Sequence, residues 1–245
     1  MTKLLDRLKA DSVLFLVSWL VDQITNWKGR CNVGCVIPSN VSVLEQEWLL
    51  EAAQWGASQQ ECLAVFKQLV EAYEAENRHY HGLTHIQSML DLSGQVSKSI
   101  QYPNAFYFAI WFHDAVQIQG KDSELLSMNL AKVALTQLGA PSGLIQQVSG
   151  LILATKHHTT KDKGDMALFL DVDLSILAAK PYEYKSYANN CRKEYVIPGF
   201  VYNLGRRKFL TSLLERNFIF NSPIFQETKE HLAKANIEWE LKGFS

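Results

Sequence analysis

The sequence predicts an all-α fold: a single helical bundle domain with an N-terminal helical extension. Three observations point there. Apolar residues recur at helical spacing in one segment after another, with no sustained period-two alternation and no Asn-Gly or Asp-Gly hairpin turn. Pro103, Pro141, Pro181 and Pro223 each stand where a helix would start, a position at which a missing N–H costs nothing. And 245 residues of ordinary globular composition, 47% hydrophobic and 20% charged, are enough for one sizeable core.

The elements follow in order. Residues 3–27 read as a helix, and GRCNVGCVIPSN at 29–40 breaks the pattern with glycine, proline and asparagine. Residues 1–40 are therefore expected to be an N-terminal helical extension and linker, and residues 41–245 the main domain. Val43 to Trp55 is periodic, and Ser58 is a plausible N-cap for a helix up to Ala75. Residues 84–98, 104–116, 122–138, 142–156, 165–179, 182–196, 200–216 and 223–240 each read as helix, separated by short turns.

Charge and cysteine usage narrow the function classes. The net charge is −1, with 24 basic and 25 acidic residues, so the chain as a whole has no extended nucleic-acid surface. Cys31, Cys35, Cys62 and Cys191 lack the spacing of a disulfide scaffold or zinc knuckle and read as free thiols. The apolar stretch SVLFLVSWLV at 12–21, bracketed by Asp11 and Asp22, is about half the length needed to span a bilayer. It reads as a buried or partner-facing helix, and the cytoplasm is the default location.

Six of the seven histidines fall between positions 79 and 158. In AFYFAIWFHD at 105–114, a helix apolar on every face ends in His113-Asp114. A buried pair there needs a cation or several donors, and a metal ion or a set of structural hydrogen bonds would serve equally. In RHYHGLTH, His81 and His85 are i,i+4 and would share one helical face. Gly82 stands where a zinc protease needs Glu, so either one histidine ligates while the other remains free as a proton donor, or the segment is simply a helix start with an exposed His79 and a pair of polar histidines. In FLDVDL at 169–174, Asp171 and Asp173 lie roughly 200° apart around a helix, so one can ligate while the other bonds to backbone. His157 and His158 could supply a second metal or orient substrate, or be simple surface residues at a helix end. Glu124, near a helix start, fits the helix dipole and could also position a water.

In their order, His85, His113-Asp114 and Asp173 resemble the HD superfamily of metal-dependent phosphohydrolases, and a bacterial subfamily of predicted phosphohydrolases within it. The likeness runs from about residue 44 to the C-terminus through RHYHGLTHI, WFHDAV, DSELLS, LILATKHH, LFLDVDLSILA, RKEY, GRRKFL and ANIEWEL. It departs at DSE, where DNE is expected, and at Ala178-Ala179-Lys180, where a glycine is commoner. The resemblance implies an HD-type bundle in which His85, His113, Asp114 and Asp173 hold one divalent ion. Mn, Fe, Ni, Co, Zn and Mg are the candidates. It also implies His81 as general acid. Arg78, Lys156, Arg192 and Arg206, each in a matching motif, become candidates for substrate phosphates, and Asp114 could bridge to a second ion on His157 or His158. The implied substrate is a small phosphate ester such as a nucleotide. A di-iron oxygenase and a non-catalytic nucleotide-sensing regulator are the rival expectations.

Overall fold

A computed structural model describes residues 39–244; the expected helix at 3–27, most of the linker, Cys31 and Cys35 lie outside them. The described residues form ten α-helices and no strand. They are α1 (Ser39–Ala52), α2 (Gln59–Tyr73), α3 (Leu83–Gln95), α4 (Pro103–Phe112), α5 (Ser123–Gln137), α6 (Ser142–Ala154), α7 (Asp165–Asp173), α8 (Pro181–Lys193), α9 (Gly199–Leu214) and α10 (Pro223–Lys242). Short 3-10 turns occur at Ala53–Trp55, Ser97–Ser99 and Leu174–Ala178.

Local signals account for most boundaries. Ser58 Oγ accepts the Glu61 N–H while Glu61 Oε2 accepts the Ser58 N–H, a reciprocal cap that starts α2. Pro103, Pro181 and Pro223 occupy the first turns of α4, α8 and α10, whereas Pro141 is the residue before α6. Helix α1 begins at Ser39, inside the stretch expected to be linker. Val41 and Leu44 are buried, and their burial draws the first turn onto the core.

Helix α4 is the central element and packs against α3, α5 and α6. Seven of its ten residues are buried, among them Phe106, Phe108, Trp111 and Phe112. Trp48 of α1 meets Phe108 and Trp111 edge-on at 5.4 and 5.6 Å, and its indole N–H donates to the Cys62 carbonyl at 2.8 Å.

Helix α4 stops at Phe112, four residues earlier than the periodicity suggests, where side chains from elsewhere satisfy one of its last carbonyls and two just beyond it. Tyr73 Oη donates to the Trp111 carbonyl at 3.0 Å, and Arg78 donates to those of Asp114 and Ala115. Similarly, α7 ends at Asp173 and tightens into the 3-10 turn, where Asn236 Nδ2 donates to the carbonyls of Leu177 and Ala179. Both acidic residues of interest thus emerge at the C-terminal ends of buried helices.

Candidate metal centre

The start of α3 and the ends of α4 and α7 bring four side chains to one point. His85 Nε2 lies 3.3 Å from His113 Nε2 and 3.3 Å from Asp173 Oδ1. His113 Nε2 is 3.2 Å from Asp114 Oδ2 and 3.7 Å from Asp173 Oδ1. Ligand atoms about 2.1 Å from one ion stand ~3.0 Å apart at octahedral and ~3.4 Å at tetrahedral angles, so these separations suit a shared ion. The closest set with all atoms mutually near is His85, His113 and Asp114, and Asp173 adds an oxygen against both rings.

The donor chemistry fits a divalent cation. His113 Nδ1 is 2.9 Å from the Ile110 carbonyl, so in the neutral ring the proton sits on Nδ1 and the Nε2 lone pair faces the cluster. Burial holds the His85 pKa below its ordinary value, which keeps that ring neutral despite Asp173. Burial also works against a charge on His113, but Asp114 and Asp173 outweigh it and raise its pKa well above the ordinary value. His113 and His81 hold the Asp114 carboxyl below its ordinary value, and His113, His158 and His85 hold that of Asp173 below its own, both against the opposing effect of burial. Two carboxylates at helix C-termini face the negative ends of the helix dipoles, which makes a cation between them more favourable still.

His81 lies beside the cluster but not on the face of α3. Gly82 is extended at φ −113° and ψ −170°, and α3 begins only at Leu83. Glu194, at the end of α8, ties this segment down: its Oε1 accepts the N–H groups of His79, Tyr80 and His81 at 2.7–2.9 Å. A Cβ on Gly82 would stand 3.1 Å from the Tyr73 carbonyl, which suits glycine to this turn. Glu194 Oε2 lies 2.5 Å from His81 Nδ1, and His81 Nε2 faces Asp114 Oδ2 at 3.9 Å. Burial lowers the His81 pKa, but Asp114 and Glu194 more than offset it and leave the net shift upward. The imidazolium is thus favoured, with one N–H tied to Glu194 and the other turned toward the cluster.

A cavity of about 470 Å³ opens over this point. His81, Asp114, Asp173, His158, Glu124 and Gln117 give it a polar floor, and Tyr187, Tyr195, Ile197, Val201, Tyr202 and Phe209 of the α8–α9 region form its apolar wall. His158 Nε2 lies 2.9 Å from Asp173 Oδ2, the oxygen not turned toward His85. His157 is exposed and does not line the cavity. Asp171 faces away from the cluster: it accepts the backbone N–H groups of Asn221 and Ser222 at 2.6 Å, together with Asn221 Nδ2 and Ser222 Oγ.

Comparison with protein-family models, with curated proteins and with solved structures returned no match. The arrangement of these side chains is therefore what bears on function.

The four basic residues expected at substrate phosphates all have protein partners. Arg78 spans the carbonyls of His81, Asp114 and Ala115, so it shapes the turn that carries the cluster. Lys156 pairs on the surface with Asp122 at 2.6 Å, and Arg192 donates to the Tyr195 and Ile197 carbonyls. Arg206 borders the cavity, but Glu240 grips it through two oxygens and Tyr187 Oη accepts from it. Sequence reasoning passed over Glu194, Arg216 and Asn221. The one acid in the basic RKEY stretch was the available signal for Glu194. Arg216 donates to the carbonyls of His157 and His158, and Asn221 to that of His158; nothing in their sequence surroundings distinguishes them.

Proposed function

We propose that the chain is a metal-dependent phosphohydrolase of the HD type, acting on a small phosphate ester such as a nucleotide. The observation that carries this reading is the convergence of His85, His113, Asp114 and Asp173 beside an imidazole braced by Glu194. A divalent ion bound to those four groups would supply Lewis acidity, neutralising phosphoryl charge and lowering the pKa of a water.

The protein's own groups have separate tasks. His81 holds a proton on Nε2, the nitrogen facing the cavity, and donates it to the leaving oxygen as the ester bond breaks. Glu194 orients that ring and favours its charged form through the bond to Nδ1. His158 holds the second oxygen of Asp173, so the carboxylate keeps one orientation. The apolar wall limits water around the ester and leaves room for its organic part.

The test is elemental analysis of the purified protein, followed by a screen of phosphate esters with Mn, Co, Ni and Mg. Release of phosphate that depends on an added metal and is lost in Asp173→Asn supports the reading. Turnover that survives both chelation and Asp173→Asn overturns it.

A further inference from the structure

Helix α9 presents three faces. Val201, Gly205 and Phe209 line the cavity. Gly199 and Asn203 border a second hollow, shared with Trp239 of α10. The third face carries Phe200 and Leu204, 76% and 72% exposed, with Arg207 and Lys208 exposed in the next turn. At about 100° per residue, Leu204 stands roughly 60° from Val201 around the axis, so this stripe adjoins the cavity's apolar wall. Val196, 89% exposed, lies in the turn just before the helix, and Trp239 is half exposed. Single exposed apolar residues are ordinary, but a run of them at the edge of a cavity marks a binding surface.

Charge identifies what would bind. Between positions 185 and 208 the chain holds six cations, Lys185, Arg192, Lys193, Arg206, Arg207 and Lys208, and a single acid, Glu194. Glu194 is buried on His81, and Glu240 neutralises Arg206. Arg207 and Lys208 remain exposed on the same side of α9 as Phe200 and Leu204, in a chain whose net charge is −1. A second copy packed about a twofold axis here would set like charges against each other. A nucleic acid would leave Leu204 and Val196 without an apolar partner.

We propose that this surface docks on an anionic lipid bilayer. Val196, Phe200 and Leu204 enter the headgroup layer, and Arg207 and Lys208 on the same side of α9 meet lipid phosphates. The inference goes beyond the proposed hydrolysis, because docking requires neither a metal nor turnover.

Co-sedimentation of the full-length protein with vesicles tests it, using phosphatidylcholine alone or mixed with phosphatidylglycerol. The expected result is binding to the mixed vesicles only, reversed by salt. Arg207→Gln and Lys208→Gln should each weaken it about fivefold. The double variant F200E/L204E should stay in the supernatant while its circular dichroism matches wild type. No binding to mixed vesicles overturns the proposal. Undiminished binding by F200E/L204E also overturns it, assigning membrane contact to another part of the chain, such as residues 12–21. A wild-type dimer in light scattering that F200E/L204E converts to monomer overturns it in favour of self-association. Binding to an RNA oligonucleotide in place of vesicles overturns it in favour of nucleic acid.

Discussion

His85 Nε2 and His113 Nε2 stand 3.3 Å apart in the protein core, with the Ile110 carbonyl holding the other nitrogen of His113. Two imidazole lone pairs turned toward each other in a low-dielectric interior are costly unless a cation or a proton lies between them. Metal should therefore stabilise the fold directly. At a metal concentration about 100 times Kd the gain is ~2.7 kcal/mol, or an unfolding midpoint about 5–10 °C higher for a domain of this size. Scanning calorimetry with Mn, Co or Zn against a chelated baseline measures it. An equal rise in His85→Gln would remove His85 from the metal-binding set.

Asp171 and Asp173 should respond in opposite ways. Asp171 accepts four hydrogen bonds from Asn221 and Ser222, anchoring the turn into α10. Asp171→Asn replaces an acceptor with a donor facing donors and should cost about 2–4 kcal/mol in urea unfolding, while the metal-induced rise persists. Asp173→Asn should abolish that rise. Identical behaviour of the two variants would contradict their separate placement.

These two aspartates also mark how far a sequence can be read. Their spacing of two residues already separated them onto different helix faces, and the apolar surroundings of His113-Asp114 announced a buried His113, beside which Asp114 is half-buried. The helix content was legible for the same reason: apolar periodicity and proline positions are local quantities. What escaped was whatever depends on a distant partner. The end of α4 is met by Tyr73 and Arg78, 38 and 36 residues away along the chain from the carbonyls they reach. The segment at His81 is tied down by Glu194, 113 residues away. The arginines looked available for substrate because a sequence does not show that Glu240 or a row of carbonyls already occupies them.

His81 should matter to turnover and not to metal. Its ring touches Glu194 and faces Asp114, but contributes no atom to the closest cluster. If phosphate release is found, His81→Gln should lower kcat by about 10²–10⁴-fold with the metal-dependent rise in midpoint unchanged. A bulky leaving group of low pKa should narrow the deficit, since it needs less protonation. An equal deficit for good and poor leaving groups would count against proton donation.

Glu194 should leave a pH signature. Burial pushes its pKa up, but the bond to His81 and the N–H groups of Tyr80 and His81 outweigh burial and hold it at about 2, below the ordinary 4.5. A carboxyl with a depressed folded-state pKa stabilises the protein fully above about pH 4.5 and loses that contribution as pH falls toward 2. After allowance for solvent screening the contribution is on the order of 2 kcal/mol. Glu194→Gln should therefore be less stable than wild type by that amount at pH 7 and converge with it near pH 2. Urea unfolding across this range measures the difference. A constant gap would mean that hydrogen-bond geometry, not charge, is what Glu194 contributes.

Arg216 should influence metal affinity without touching the cluster. His158 is the only non-glycine residue among those described with positive φ, at 49°, a conformation that favours glycine or asparagine. Arg216 holds the strained turn by donating to the carbonyls of both His157 and His158, at 3.1 and 2.9 Å. The turn in turn places His158 Nε2 on Asp173 Oδ2. Arg216→Met should let the turn relax, costing about 1–3 kcal/mol of stability and freeing Asp173 to rotate. Metal affinity should then fall about 10–100-fold, as it does when partners that orient a ligand are removed. His158→Asn separates the two effects, because asparagine tolerates the left-handed backbone but is too short to reproduce the imidazole contact. It should keep the stability and lose the affinity, both read by calorimetric titration and urea unfolding. Full affinity in Arg216→Met would show that Asp173 is held by its ring contacts in the cluster alone.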